Sequence, residues 1–171
     1  MLKVKDGHLS ELSVLFERYQ VKLYNFFLRL TMDKTSGEDL TQNLFYRIIL
    51  YRSSFQPANG NFRSWIYRMA RNVHVDFYRQ KQKTGENPKG QELENMDMPD
   101  EEEVFTEEHY EQLNLAMAKL TPDQREIILM SRYQGLKYEE ISRIREISVS
   151  AVKVQVHRAI KQLRTIYFRQ S

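Results

Sequence analysis

The chain has 171 residues, 26 Lys/Arg against 23 Asp/Glu, and no cysteine, so neither a disulfide framework nor a thiolate metal site is open to it. His8, His74, His109 and His157 are scattered, which argues against a metal centre, and the length allows one medium domain or two small ones. With no apolar leader and no apolar run long enough to span a bilayer, a cytoplasmic protein without metal or cofactor is expected.

The overall charge of +3 is unevenly spread. Residues 1–82 carry 13 Lys/Arg against 7 Asp/Glu, residues 83–112 carry 2 against 11, and residues 113–171 carry 11 against 5. Two basic blocks flanking an acidic one point to two modules that meet a polyanion.

In chain order, Leu12, Phe16, Tyr19, Leu23, Phe26 and Leu30 recur at three- and four-residue steps, which predicts an amphipathic helix over about 9–31. A second helix is expected to start near Ser36, with the Ser36 hydroxyl as its cap, and to bury Leu40, Leu44, Ile48 and Tyr51. PANG, residues 57–60, breaks the chain.

The next segment is NFRSWIYRMARNVHVDFYRQ, residues 61–80. At 100° per residue Phe62, Ile66, Met69, Val73 and Phe77 form a stripe for burial. Tyr67, Arg68, Arg71, Tyr78 and Arg79 gather on the other face, with Arg63 and Trp65 near its entrance. Exposed rings among arginines suit stacking on unpaired bases and pairing with phosphates. An ordinary surface helix whose long side chains cover apolar neighbours reads equally well from this segment alone.

Residues 84–103, TGENPKGQELENMDMPDEEE, lack apolar periodicity and read as a flexible acidic linker. A solvated tether is the plain interpretation; occupation of a basic channel in place of nucleic acid is the sharper one. Thr121-Pro122-Asp123-Gln124 then opens a helix with a capping box, ending near Gly135. A short helix over about 137–145, a turn at Glu146 and a helix capped by Ser148 complete a helix-turn-helix pattern.

In that last helix Val149, Val152, Val156, Ala159 or Ile160, and Leu163 make the buried stripe. Ser150, Ala151, Lys153, Val154, Gln155, His157, Arg158 and Lys161 face outward. Ser150, Lys153, Val154 and Gln155, near the amino end, are expected at base edges. Arg158 suits bases or backbone, and His157 and Lys161 suit phosphates. A merely basic bundle helix has the same pattern.

Taken together, these segments resemble bacterial RNA polymerase sigma factors of the extracytoplasmic-function type over nearly the whole chain. EDLTQNLFYRI (38–48) is similar to the family's polymerase-binding helix, NFRSWIYRMARNVHVDFYR to its minus-ten segment, and LTPDQREIILMSRYQGLKYEEIS with ISVSAVKVQVHRAIKQLR to its minus-thirty-five reader. The resemblance implies an all-α protein of two small helical domains, residues 1–82 and 107–171, joined by a linker over 83–106.

By position it implies that Asp39 and Gln42 grip the clamp helices of the largest polymerase subunit, with Asn43, Phe45, Tyr46 and Ile49 beside them. The loop from Pro57 to Asn61, including Asn59, resembles the family's capture loop for a flipped base. Asn61, Arg63, Trp65, Tyr67, Arg68, Arg71, Asn72, Tyr78 and Arg79 lie where the minus-ten strand is opened and held. Promoter DNA, core polymerase and an anti-sigma protein are the implied partners.

Four positions depart from the family pattern. Glu146 replaces the usual turn Gly, Lys137 a small hydroxyl cap, Asn43 a Glu, and Gln155 an Arg. A linker of about 23 residues extends to roughly 75 Å but coils to about 26 Å, so core polymerase is expected to stretch it and set the spacing of the two modules. A DNA-binding regulator that acts without polymerase would have the same basic helices without needing Asp39 and Gln42. A recombinase would need a nucleophile among Arg and His, and no His-x-x-Arg with a distant Tyr is present.

Overall fold

A computed structural model describes residues 1–85 and 107–169, and all regular structure among them is helical. The expectations for the linker, both its mobility and its acidic mimicry, fall on 86–106 and lie outside the described residues. In the amino-terminal half a short α1 (Leu2–Lys5) and a 3-10 turn (Leu9–Glu11) precede α2 (Leu12–Thr31), α3 (Lys34–Leu50) and α4 (Phe62–Thr84). The carboxyl-terminal half has α5 (Glu107–Ala118), α6 (Pro122–Ile128), a π turn (Leu129–Tyr133), α7 (Tyr138–Arg145) and α8 (Val149–Phe168).

The helix boundaries obey local chemistry, with two corrections to the expected second helix. Asp33 caps α3, its carboxylate accepting from the Ser36 backbone N–H at 3.0 Å. Ser36 instead sits buried in the first turn, because Asp33 supplies a stronger charged acceptor at the helix start. Tyr51, expected inside, is 54% exposed because α3 ends at Leu50 and the chain turns before its ring can reach the core. Met32, in the left-handed conformation, turns the chain between α2 and α3. The two helices then approach so closely that a Cβ on Gly37 would lie 3.2 Å from the Leu28 backbone.

The predicted caps of the carboxyl-terminal half form. Thr121 and Gln124 make the reciprocal capping box of α6, and Ser148 accepts from Ala151 N–H at 3.1 Å to start α8. Lys137 has no acceptor to offer α7, and the box there is half made, by Glu140 accepting from Lys137 N–H at 2.9 Å. Glu146 takes φ 57° and ψ 41°, a left-handed cap that costs a non-glycine residue about 1 kcal/mol.

The halves share one apolar core. Leu23, Phe26, Leu44, Ile48, Ile66 and Val73 from the first half are contiguous with Leu129, Met130, Ile141, Val152 and Val156 from the second. Arg125 ties them further: its buried guanidinium donates to the carbonyls of Met117, Ala118 and Leu120 at 2.8–3.2 Å, and across the halves to Leu30 at 2.9 Å. Leu30 and Ala118 sit at or near the carboxyl ends of their helices, where unpaired carbonyls favour a cation.

Candidate nucleic-acid and polymerase interfaces

On α3 the helical period places Leu40, Leu44 and Ile48 in the core and leaves Asp39, Gln42, Asn43 and Tyr46 exposed on the opposite side. Ile49 is half-buried at the edge of that face. Phe45 departs from the expected set: it is 7% exposed, with its ring 4.7 Å from that of Phe16, so it packs under the face rather than on it. Arg47 bridges Asn43 Oδ1 at 3.0 Å and Asp76 Oδ2 on α4 at 2.9 Å, fixing the α3 surface to the next helix.

The loop before α4 is a 3-10 turn over Pro57–Asn59 that closes on Gly60, whose φ of 134° only glycine adopts readily. Asn61 caps α4, accepting from Ser64 N–H at 2.8 Å, and so stands where the loop enters the helix. Trp65 is half-buried against Phe55 and Phe62, with centroids 5.7 and 5.8 Å away. Asn59, Asn61, Arg68, Asn72 and Arg79 are exposed, and Arg63, Arg71 and Tyr78 partly so.

Tyr67 is a correction. Expected outward, it is 1% exposed, packed edge-on to Phe26, and its hydroxyl donates to Gln134 Oε1. Burial pushes its phenol pKa up. The period had placed it on the arginine face correctly; that face is itself covered by the carboxyl-terminal half.

Of the covering residues, Glu126, Glu140, Arg143 and Arg145 were not singled out in the sequence. Glu126 Oε2 lies 3.3 Å from Arg71 Nε and 3.5 Å from Arg145 Nε, and Arg145 also reaches Asp123 at 2.9 Å. Glu140 Oε1 accepts from Asn61 Nδ2 at 2.8 Å and from Ser64 Oγ at 3.5 Å. Arg68 donates to the Arg143 carbonyl and stands 3.8 Å from Glu146. Burial raises the Glu126 pKa, while Arg145 and Arg71 pull it back. For Glu140, burial is outweighed by the Asn61 amide, the Lys137 N–H, Arg63 and Ser64, which hold it below the usual range. In sequence these glutamates look like solvated helix acids; the one signal was Glu140 at the third position of a helix without a side-chain cap.

A groove of about 450 Å³ has Asn59, Trp65, Arg68 and Asn72 along one side and Arg143 and Ile144 of α7 along the other. A larger cavity of about 990 Å³ lies beside the same loop, among Leu2, Val14, Phe55, Asn59 and Arg143.

Helix α8 follows the expected pattern in its middle turns, but Val149 and Leu163, expected inside, are only half-buried at its two ends. Val152, Val156 and Ala159 are buried, Ala151 and Gln155 are half-buried, and Ser150, Lys153, Val154, His157, Arg158 and Lys161 are exposed. Among the described residues no cluster of three His, Cys, Asp or Glu could hold a metal, and no helix is long and apolar enough to cross a membrane.

Residues 15–84 match the family profile "Sigma-70 region 2", and residues 110–163 match "Sigma-70, region 4". The chain is 27% identical over 157 residues to the ECF RNA polymerase sigma factor SigX of Bacillus subtilis, covering 88% of this chain and 80% of SigX. It is 27% identical over 175 residues to the sigma factor CarQ of Myxococcus xanthus, covering 97% and 94%. In fold it resembles the sigma factor RpoE of Bartonella quintana, solved with the anti-sigma factor NepR, with a TM-score of 0.73, 21% identity and coverage of 90% and 94%. CnrH, solved with the cytosolic domain of CnrY, superposes with a TM-score of 0.75 at 20% identity over 99% and 96% of the two chains. The chain belongs to the sigma-70 family of RNA polymerase sigma factors, of the extracytoplasmic-function type, and directs promoter-specific initiation of transcription.

Proposed function

We propose that the exposed row Asp39, Gln42, Asn43 and Tyr46 on α3 docks on the clamp helices of the largest polymerase subunit. The observation that carries this is the split of α3 into a buried apolar side and an exposed polar side with one ring, Tyr46, at 62% exposure. An exposed tyrosine among short polar side chains is the composition of a protein-binding patch. Ile49 borders it, and Phe45 supports it from beneath.

The minus-ten strand is held by α4 and its entry loop: Asn59 and Asn61 at the captured base, Trp65 for stacking, and Arg63, Arg68, Arg71, Asn72 and Arg79 along the backbone. The minus-thirty-five duplex is read by Ser150, Lys153, Val154 and Gln155, with Arg158, His157 and Lys161 toward phosphates. The working units are residues 1–82 and 107–171 with 83–106 between them. The chain works in the cytoplasm without chemistry of its own. The similarity in fold to RpoE, solved with the anti-sigma factor NepR, supports a partner of that class here.

Co-elution with core polymerase on a sizing column tests the assignment. The intact chain is expected to co-elute, and the Asp39→Ala/Gln42→Ala variant to lose it. Unimpaired co-elution of the variant removes the α3 assignment, and failure of the intact chain leaves a regulator that acts without polymerase.

A further inference from the structure

We propose that α1 is a buttress of the capture loop, and that its Lys5 is a positioning residue for the choice of the captured base. The proposal rests on the reading of the 57–61 loop as the holder of that base. Residues 15–84 match the region 2 profile, so the buttress comes from outside the matched segment.

A helix of four residues has no stability of its own, and side chains fix this one in place. Val4 is fully buried. Gly7, at φ 98°, turns the chain toward α2, and Lys3 Nζ meets Glu11 Oε1 at 3.1 Å. That ion pair is largely exposed and contributes little. The stronger tie is Lys5, whose Nζ donates to the Phe55 carbonyl at 2.9 Å, 50 positions along the chain. A charged donor on a carbonyl makes a stronger bond than a neutral one. α1 also packs on the 3-10 turn Arg52–Ser54 that leads into Phe55.

Phe55 is the near hinge of the loop. Its ring is 5% exposed and stands edge-on to Phe62 and Trp65, at 6.0 and 5.7 Å, while its backbone leaves the turn extended. The far hinge is Asn61, seated on the first turn of α4 through Ser64 N–H. Between the hinges the loop closes on itself. Asn59 donates from its N–H to the Gln56 carbonyl and from Nδ2 to Gln56 Oε1, both at 3.0 Å, and Gly60 N–H donates to the Pro57 carbonyl at 3.2 Å. A loop closed in this way moves as a unit on its two hinges, so holding the Phe55 carbonyl sets where Asn59 stands. The same α1 supplies Leu2 and Lys3 to the wall of the cavity of about 990 Å³ that borders Pro57–Asn61.

Lys5 therefore acts through Phe55 and the loop. Releasing it alters the fit of one base and leaves the arginines of α4 and the exposed face of α8 as they were. Its signature is a change in base preference at a single minus-ten position, which a general loss of stability does not produce.

The test uses full-length chain in holoenzyme with core polymerase. The intact chain first selects a promoter from a duplex pool randomised over both elements. The minus-ten element of that promoter is then randomised again, transcribed by holoenzyme carrying each variant, and the transcripts are sequenced. Asn59→Ala, in the loop itself, marks the captured position by losing preference there. Lys5→Met keeps the stem and removes the donor: preference at the marked position is expected to fall about tenfold toward even use of the four bases. Preference elsewhere is expected to stay within about twofold, and Tm within about 4 °C of the intact chain. Lys5→Arg, which again offers donors to the carbonyl, is expected to regain most of the preference. Val4→Ala loosens α1 without touching Lys5 and is expected to shift the same position in the same direction; it decides by the same criterion should Lys5→Met fail to fold. Output that falls evenly over all sequences with the preference unchanged overturns the buttress and leaves the capture reading in place. If Asn59→Ala also leaves every preference unchanged, the capture reading itself is defeated and the buttress with it.

Discussion

His74 makes the junction between the halves sensitive to acid. Its ring on α4 is 7% exposed, lies 6.3 Å from that of Tyr78, and feels the charges of Arg125 and Arg71. Burial first, and those two arginines second, lower its pKa from 6.5 to about 4. The folded chain thus binds fewer protons here than the unfolded chain, so the stability at stake is full above pH 6.5 and is lost as pH falls toward about 4. At about 1.36 kcal/mol per pH unit, the span amounts to about 3 kcal/mol. His74→Leu removes the titrating group at similar volume. Urea unfolding at about pH 7.5 and about pH 4.5 is expected to show the intact chain losing about 2.5 kcal/mol more than the variant between the two. Asp33 and Glu140, whose carboxyls are held low, titrate alike in both proteins and cancel in the comparison. Equal losses in the two proteins would falsify the buried neutral imidazole.

Arg125→Met leaves four carbonyls without their cationic donor, and at about 1 kcal/mol for each partly rehydrated acceptor the loss is about 3–4 kcal/mol. For a chain of this size calorimetry should record a Tm lower by about 6–16 °C, and a fall under about 2 °C would contradict the clasp. Gln155→Arg should move the preference at one minus-thirty-five position from adenine toward guanine by about 1–3 kcal/mol, seen by selecting bound sites from a randomised duplex pool with the holoenzyme. Selection of the same base by both proteins would take Gln155 out of the base-reading set.

Periodicity carried most of the fold. The apolar recurrence of α2, the stripe of α8 and the Thr121–Gln124 box are local signals, and each element forms where the residues predict, although Phe16 is left 43% exposed and Val149 and Leu163 half-buried. Tyr51 and Ser36 were misplaced because two or three residues at a helix end decide which of several polar groups caps it. The arginine face of α4 was legible as a face, since helical geometry fixes what points together. Its cover was not legible, because Tyr67 and its partner Gln134 are 67 positions apart and no local pattern links Asn61 to Glu140 or Arg71 to Glu126. Long-range polar pairing of that kind depends on how two finished helical units meet, which leaves no period in either one.

The π turn at Leu129–Tyr133, where Gln134 N–H reaches back to the Leu129 carbonyl at 2.8 Å, holds one residue more than an α-helical turn. Deleting Tyr133 there would wind the segment back to ordinary helix and leave the chain after it nearly in register, because the wide turn is what takes up the extra residue. The ring under Arg29 would be lost, while Ile127 and Ile128 stayed packed upstream and Gln134 kept its place beside Tyr67. A lineage carrying this turn can therefore retune the grip between its halves by gaining or losing one amino acid, without a substitution in the core or in any residue that meets DNA.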